Sequence, residues 1–180
     1  VLKKSQEFEG KSPNKHNKFY IQVEPVEDAV YNSIKAGEIP ELRIKKKDDT
    51  VTENFIKAGY DTKDAKRVRE IFNSCVLYDN TKGIIHIGEV IEMVMDGFEQ
   101  VIKEGPLARE PCMKVKVALN DMKLHEDAIH RGPAQVLPAI RDAIKDAMRD
   151  AGTSIFEPLQ VLQIESPAEF MGAISKLVQN

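Results

Sequence analysis

A chain of 180 residues, 42% hydrophobic and 31% charged, can bury a core of ordinary size, which bounds it to about one or one and a half domains. Its formal net charge of −3 excludes a global attraction for nucleic acid, so any phosphate contact needs a local basic patch. The apolar runs are broken by charges within a few residues and no apolar signal core opens the chain. The expectation is therefore a soluble, cytoplasmic protein that does not enter a membrane. Cys75 and Cys112 stand far apart without paired-ligand spacing, which argues against a stapled or zinc-held scaffold, and both read as buried apolar residues.

Residues 1–17 carry little periodicity, and Ser12-Pro13-Asn14 is loop chemistry. Phe19, Ile21 and Val23 alternate with polar neighbours and predict a strand ended by Pro25. A short helix is predicted over Glu27–Ala36, stopped by Gly37, followed by a charged connection over 38–49 in which only Leu42–Ile44 is strand-like. Two short helices follow, one over Thr52–Ala58 and one capped by Asp61 or Thr62. Ser74–Tyr78 reads as a strand, with a turn over Asp79–Gly83 before the apolar run Ile84, Ile85, Ile87. Ile87, Ile91, Val94, Phe98 and Ile102 mark one face of a long helix closed by Gly105-Pro106.

Val115, Val117 and Leu119 alternate with Lys114, Lys116 and Asn120, predicting a half-buried strand with a basic polar face. A loop over Leu124–Gly132 then leads to Pro133, at the first position of a helix whose stripe is Leu137, Ile140, Ile144, Ala147 and Met148. Leu159, Val161 and Ile164 suggest a further strand, and Ser166-Pro167 opens a helix faced by Phe170, Ile174 and Leu177, with Ser166 as cap. A strand and a helix cannot enclose a core, so residues from about 154 on read as the start of a second domain. Both ends of the chain read as cut.

Of the four histidines, His16, His125 and His130 fall in predicted loops and His86 beside a helix start. A metal reading of His125, Asp127 and His130 is chemically conceivable, which leaves a small metal-dependent hydrolase as an alternative. The five-residue histidine spacing lacks the i, i+4 geometry of helical metal pairs. No Ser or Cys sits in a strand-to-helix turn beside a His, and no Gly-x-x-x-x-Gly-Lys-Ser/Thr phosphate loop exists. Scattered carboxylates among lysines read as solvated helix surface. The cluster Lys11, Lys15, His16, Lys18 with Asn14 and Asn17 suits RNA backbone contact equally as well as a solvated tail.

Four ordered segments carry a family resemblance: Lys11-Ser-Pro-Asn-Lys-His-Asn17, Asp79 to Gly83, Glu104-Gly-Pro-Leu-Ala-Arg-Glu110 and Leu124-His-Glu-Asp-Ala-Ile-His-Arg-Gly-Pro-Ala-Gln135. In this order and spacing the chain resembles the translation elongation factor 2 family, in its fourth domain and of archaeal type. Phe156-Glu157-Pro158 and Pro167-Ala-Glu-Phe-Met-Gly172 resemble the opening of the fifth.

The resemblance implies an α+β fold: a ribosomal-protein-S5-domain-2-like domain with a β-α-β core over 1–153, then the opening strand and helix of a ferredoxin-like domain over 154–180. It also implies a translational GTPase whose nucleotide-binding domain, with its GTP and magnesium, is not in this chain. This chain would then be no enzyme, hold no cofactor or metal, and be monomeric. Its partners would be the small-subunit decoding region of the ribosome, tRNA and mRNA. Ser12, Pro13, Asn14, Lys15, His16 and Asn17, with His125, Asp127, Arg131 and Gly132, would form a ribosome-contacting tip. His130 would be the acceptor for diphthamide, built by dedicated synthesis enzymes from a 3-amino-3-carboxypropyl group of S-adenosylmethionine, and the target of diphtheria-type toxins. Arg131 and Lys123 would add positive charge beside it.

Overall fold

The computed structural model describes residues 1–44, 48–82 and 87–179. The predicted apolar run at Ile84 and Ile85, Gly83 of the predicted turn, and His86 lie outside the described residues. A five-stranded sheet is built from β1 (Phe8–Lys11), β2 (Lys18–Pro25), β3 (Val68–Phe72), β4 (Cys75–Asp79) and β5 (Val115–Lys123), in the order β1-β2-β5-β4-β3. The helices are α1 (Asp28–Lys35), α2 (Asp49–Lys57), α3 (Thr62–Ala65), α4 (Ile87–Lys103), α5 (Pro133–Asp150) and α6 (Met171–Val178). β4 and β5 pair in parallel across α4, giving the expected β-α-β core, and the other adjacent pairs are antiparallel.

Alternation along the central strands supplies two cores, one on each sheet face. Phe19, Ile21 and Val23 of β2, Cys75 and Leu77 of β4, and Val115, Val117 and Leu119 of β5 pack under α4 and α5. Val76 and Tyr78 of β4, with Ala118 of β5, face Val30, Ile34, Val51 and Phe55 of the smaller helices. Gly10 lets β1 reach α5, since a Cβ there would lie 2.1 Å from the Ala139 carbonyl oxygen. Asp61 caps α3 by accepting from the Asp64 amide at 2.7 Å, and Asp48 caps α2 through the Val51 amide at 3.1 Å. Gly37 ends the first helix segment with φ at 78°, a left-handed conformation that costs glycine no Cβ clash.

The structure corrects several expectations. β1 and β3 were not foreseen. The polar face of β5 is covered: the Lys116 ammonium is paired with Glu24 at 3.1 Å and Glu27 at 2.9 Å and lies over the rings of Tyr60 and Tyr78. Burial works against this charge, but its hydrogen bonds to the two carboxylates hold the ammonium above its ordinary range. At Lys116 the basic face is thus neutralised.

The α5 stripe runs through Val136 and Ala139, with Leu137 only half-buried. Cys75 is fully buried as expected, whereas Cys112 is only half-buried. The segment holding Leu159, Val161 and Ile164 is no strand: its apolar side chains are exposed and it joins no ladder. Alternation makes a strand only where a partner supplies hydrogen bonds. Ser166 does not cap the last helix, because its hydroxyl donates to the Pro167 carbonyl oxygen at 3.2 Å.

The register of β2 on β5 sets the site. Lys18 pairs with Lys123 in antiparallel strands, so the loop entering β2 and the loop leaving β5 emerge side by side at one end of the sheet. No helix among the described residues is long and apolar enough to cross a membrane.

Candidate functional site

The first loop, Ser12–Asn17, is a tight turn. The Lys15 amide donates to the Ser12 carbonyl oxygen at 2.7 Å, with Pro13 at the position whose fixed φ presets such turns. Lys15 takes a left-handed φ of 63°. The Ser12 hydroxyl donates to Asn14 Oδ1 at 2.6 Å and accepts from the Asn17 amide at 2.9 Å. Ser12 and Asn17 are buried, at 2% and 0% exposure.

The second loop, 124–132, is held from beneath by this one. Asn17 Nδ2 donates to the His130 carbonyl oxygen at 2.8 Å, and Asn17 Oδ1 accepts from the His125 amide at 3.0 Å. Asn14 Nδ2 adds a second donor to the His130 carbonyl at 3.2 Å, and the Asn14 amide donates to Gln135 Oε1 in the first turn of α5 at 2.8 Å. Within the loop, Asp127 Oδ1 accepts from the Ile129 amide at 3.0 Å and caps a 3-10 turn over Ala128–His130. The Arg131 guanidinium donates from Nη1 to the carbonyl oxygens of His125 and Glu126, at 2.5 and 2.8 Å. These bonds answer the accounting problem of a backbone turned inward, where each unpaired polar group is costly.

The two loops bring three imidazoles together. Ring centroids of His125 and His130 are 4.4 Å apart, and the His16 ring lies 4.9 Å from each. His16 is exposed, while His125 and His130 are half-buried. Around them Pro13, Lys15, Lys123, Glu126, Asp127 and Ile129 face solvent.

Residues 37–152 match the model of the family described as elongation factor G, domain IV. The chain belongs to the elongation factor G domain IV family. Over 176 residues it is 51% identical to elongation factor 2 of Thermococcus onnurineus, a match covering 98% of this chain and 24% of that protein. Against elongation factor 2 of Methanocaldococcus jannaschii it is 48% identical over 181 residues, covering 100% of this chain and 25% of that protein. The chain spans about a quarter of the length of the curated relatives it matches. The resemblance carried by the four ordered motifs is thereby borne out, including its archaeal character.

In this domain IV the expected contact residues divide into two groups. Pro13, Lys15, His16 and Asp127 are exposed, and Asn14, His125, His130 and Gly132 are partly so. Ser12, Asn17 and Arg131 are buried, Arg131 at 5% exposure. Their polar atoms bind groups of the paired loops, so these three side chains are turned inward. Lys18 is engaged as well, 2.9 Å from Glu9, so Lys11, Lys15 and Lys123 are the exposed lysines beside the loops.

One anchor is not marked by the sequence pattern: Gln135 ties the first loop to α5 by accepting the Asn14 amide.

The hydrolase alternative finds no support in this geometry. His125 Nδ1 accepts the Asp127 amide at 3.0 Å and the Asp127 carboxylate caps the 3-10 turn, so these atoms are already engaged. Among the described residues, no group of three or more histidine, cysteine or acidic side chains is arranged to hold a metal ion.

Proposed function

We propose that this chain is the tip-bearing part of a translation elongation factor 2, the part that reaches the small-subunit decoding region while tRNA and mRNA move, and that His130 is its diphthamide acceptor. One observation carries the reading: the loop ending in Asn17 and the loop bearing His130 form one hydrogen-bonded tip, with the three imidazoles at its surface. A rigid, polar, partly basic tip suits RNA, where phosphate and 2′-hydroxyl contacts position without reading sequence. Modification of His130 would add a fixed cation and an amide donor to that surface.

The whole factor's activity follows the same reading. It is a cytoplasmic, monomeric GTPase using GTP and magnesium, served by diphthamide-synthesis enzymes. This chain contains no Gly-x-x-x-x-Gly-Lys-Ser/Thr loop of the kind that cradles phosphates. We read 1–153 as the tip domain and 154–180 as the opening of a ferredoxin-like domain. The nearly full exposure of Leu159 and Val161 supports the latter, since apolar side chains gathered in one segment call for a covering partner.

Cross-linking tests the contact. A photoreactive group at Lys15 of the complete factor, bound to ribosomes, is expected to label small-subunit RNA at the decoding region. Labelling confined to the large subunit would refute the reading.

A further inference from the structure

We propose that His16 and His125 are positioning residues that hold the His130 imidazole in one orientation for the enzyme that modifies it. The inference rests on the acceptor role assigned to His130 above. The His130 backbone is already fixed, because its carbonyl oxygen takes two side-chain donors, from Asn14 and Asn17. What remains free is rotation of the side chain about its two torsions. The rings of His125, at 4.4 Å and nearly perpendicular, and His16, at 4.9 Å and tilted, stand on two sides of it and restrict that rotation by contact.

Both walls are themselves anchored. The His125 amide is bound by Asn17 Oδ1, and its Nδ1 accepts the Asp127 amide, which assigns its ring proton to Nε2. The His16 amide donates to Asn14 Oδ1 at 3.1 Å, so the loop holds this residue in place through its backbone, independently of the ring. The His16 ring touches the rings of His125 and His130 and is exposed, so its role is not that of a core residue.

The chemistry gives the orientation a use. Transfer of the aminocarboxypropyl group breaks a sulfonium C–S bond of S-adenosylmethionine and forms a bond to the imidazole. A proton leaves the ring and the thioether is released, so atoms and charge balance without a further reactant. A bond-forming step of this kind depends steeply on the placement of the accepting ring, and misplacement by about 1 Å can cost roughly a hundredfold in rate.

The test uses the complete factor expressed in its native cells, with the rate of appearance of the modified His130 peptide read by mass spectrometry. For His16→Ala, which removes one wall and leaves the backbone anchor, the rate is expected to fall about tenfold or more, with the unfolding midpoint unchanged. His16→Phe, which restores a ring without its nitrogens, is expected to recover the rate to within about threefold. A wild-type rate for His16→Ala, or no recovery with His16→Phe, overturns the inference while the acceptor role of His130 stands. An unmodified wild-type protein overturns the acceptor role, and this inference with it.

Discussion

The side-chain amide of Asn17, fully buried, donates to the carbonyl oxygen of His130 across 113 residues of sequence at 2.8 Å. The same side chain accepts from the His125 amide at 3.0 Å, so one residue closes two loops into one tip. Replacing it with alanine leaves the His125 amide without its side-chain acceptor and the His130 carbonyl oxygen with the Asn14 donor alone. Asn17→Ala is expected to lower stability by roughly 1–3 kcal/mol and to broaden the NMR signals of 125–131. Unchanged urea unfolding and unchanged loop signals would show that the clamp does not organise the tip.

Arg131 supports the same loop from the other side through the carbonyls of His125 and Glu126. Arg131→Met keeps much of the apolar stem and removes the donors. The expected cost is about 2 kcal/mol, with faster exchange of the backbone amide at this position, which in the unsubstituted chain donates to the Ala128 carbonyl oxygen. Were Arg131 instead an RNA-facing charge, stability would hold and only ribosome affinity would fall.

Gly10 tests the seating of β1 on α5. A Cβ there would meet the Ala139 carbonyl oxygen at 2.1 Å and the Ala143 Cβ at 2.9 Å, and backbone cannot give way cheaply. Gly10→Ala is expected to destabilise by about 3 kcal/mol, at the upper end for an overpacked core. Equal denaturant midpoints for the two proteins would contradict the packing.

A carboxyl pair predicts a pH dependence away from the tip. Burial, with Glu99 alongside, pushes the Glu70 carboxyl from 4.5 up to about 8, against the pull of Arg43. The folded chain keeps a proton there that the unfolded chain releases above about 4.5, so this contribution is complete at lower pH and is lost as pH rises toward 8. Glu99 behaves oppositely. Although burial opposes its charge, hydrogen bonds from Lys103 and Arg43 help bring it down to about 2, so its contribution is present above 4.5 and lost as pH falls toward 2. Glu70→Gln is therefore expected to flatten the decline in stability between pH 5 and 8, read from urea midpoints, and a decline equal to wild type would rule out Glu70 as its source.

The central strands and long helices were legible because their periodicity reports burial directly: Phe19, Ile21 and Val23 on β2, and Val94, Phe98 and Ile102 on α4. β1 escaped because its one buried position is Gly10, which has no side chain to show a pattern. β3 escaped because a carboxyl, Glu70, occupies a buried position at its centre. The alternation at Leu159, Val161 and Ile164 misled for the opposite reason, since a pattern does not supply a pairing partner. At the tip, sequence marked the two loops but could not separate Asn17 and Arg131, turned inward onto backbone, from Lys15 and His16, turned outward. Polar loop residues look alike in sequence whether they bind water or carbonyls.

As proposed, His130 is a modified residue at the tip of an elongation factor 2, and mass spectrometry of the peptide spanning Leu124 to Arg131, taken from the complete protein of its native cells, decides it. The predicted result is a His130 mass raised by the diphthamide substituent, with His125 in the same peptide unmodified. A plain histidine mass at His130 in protein from those cells would contradict it.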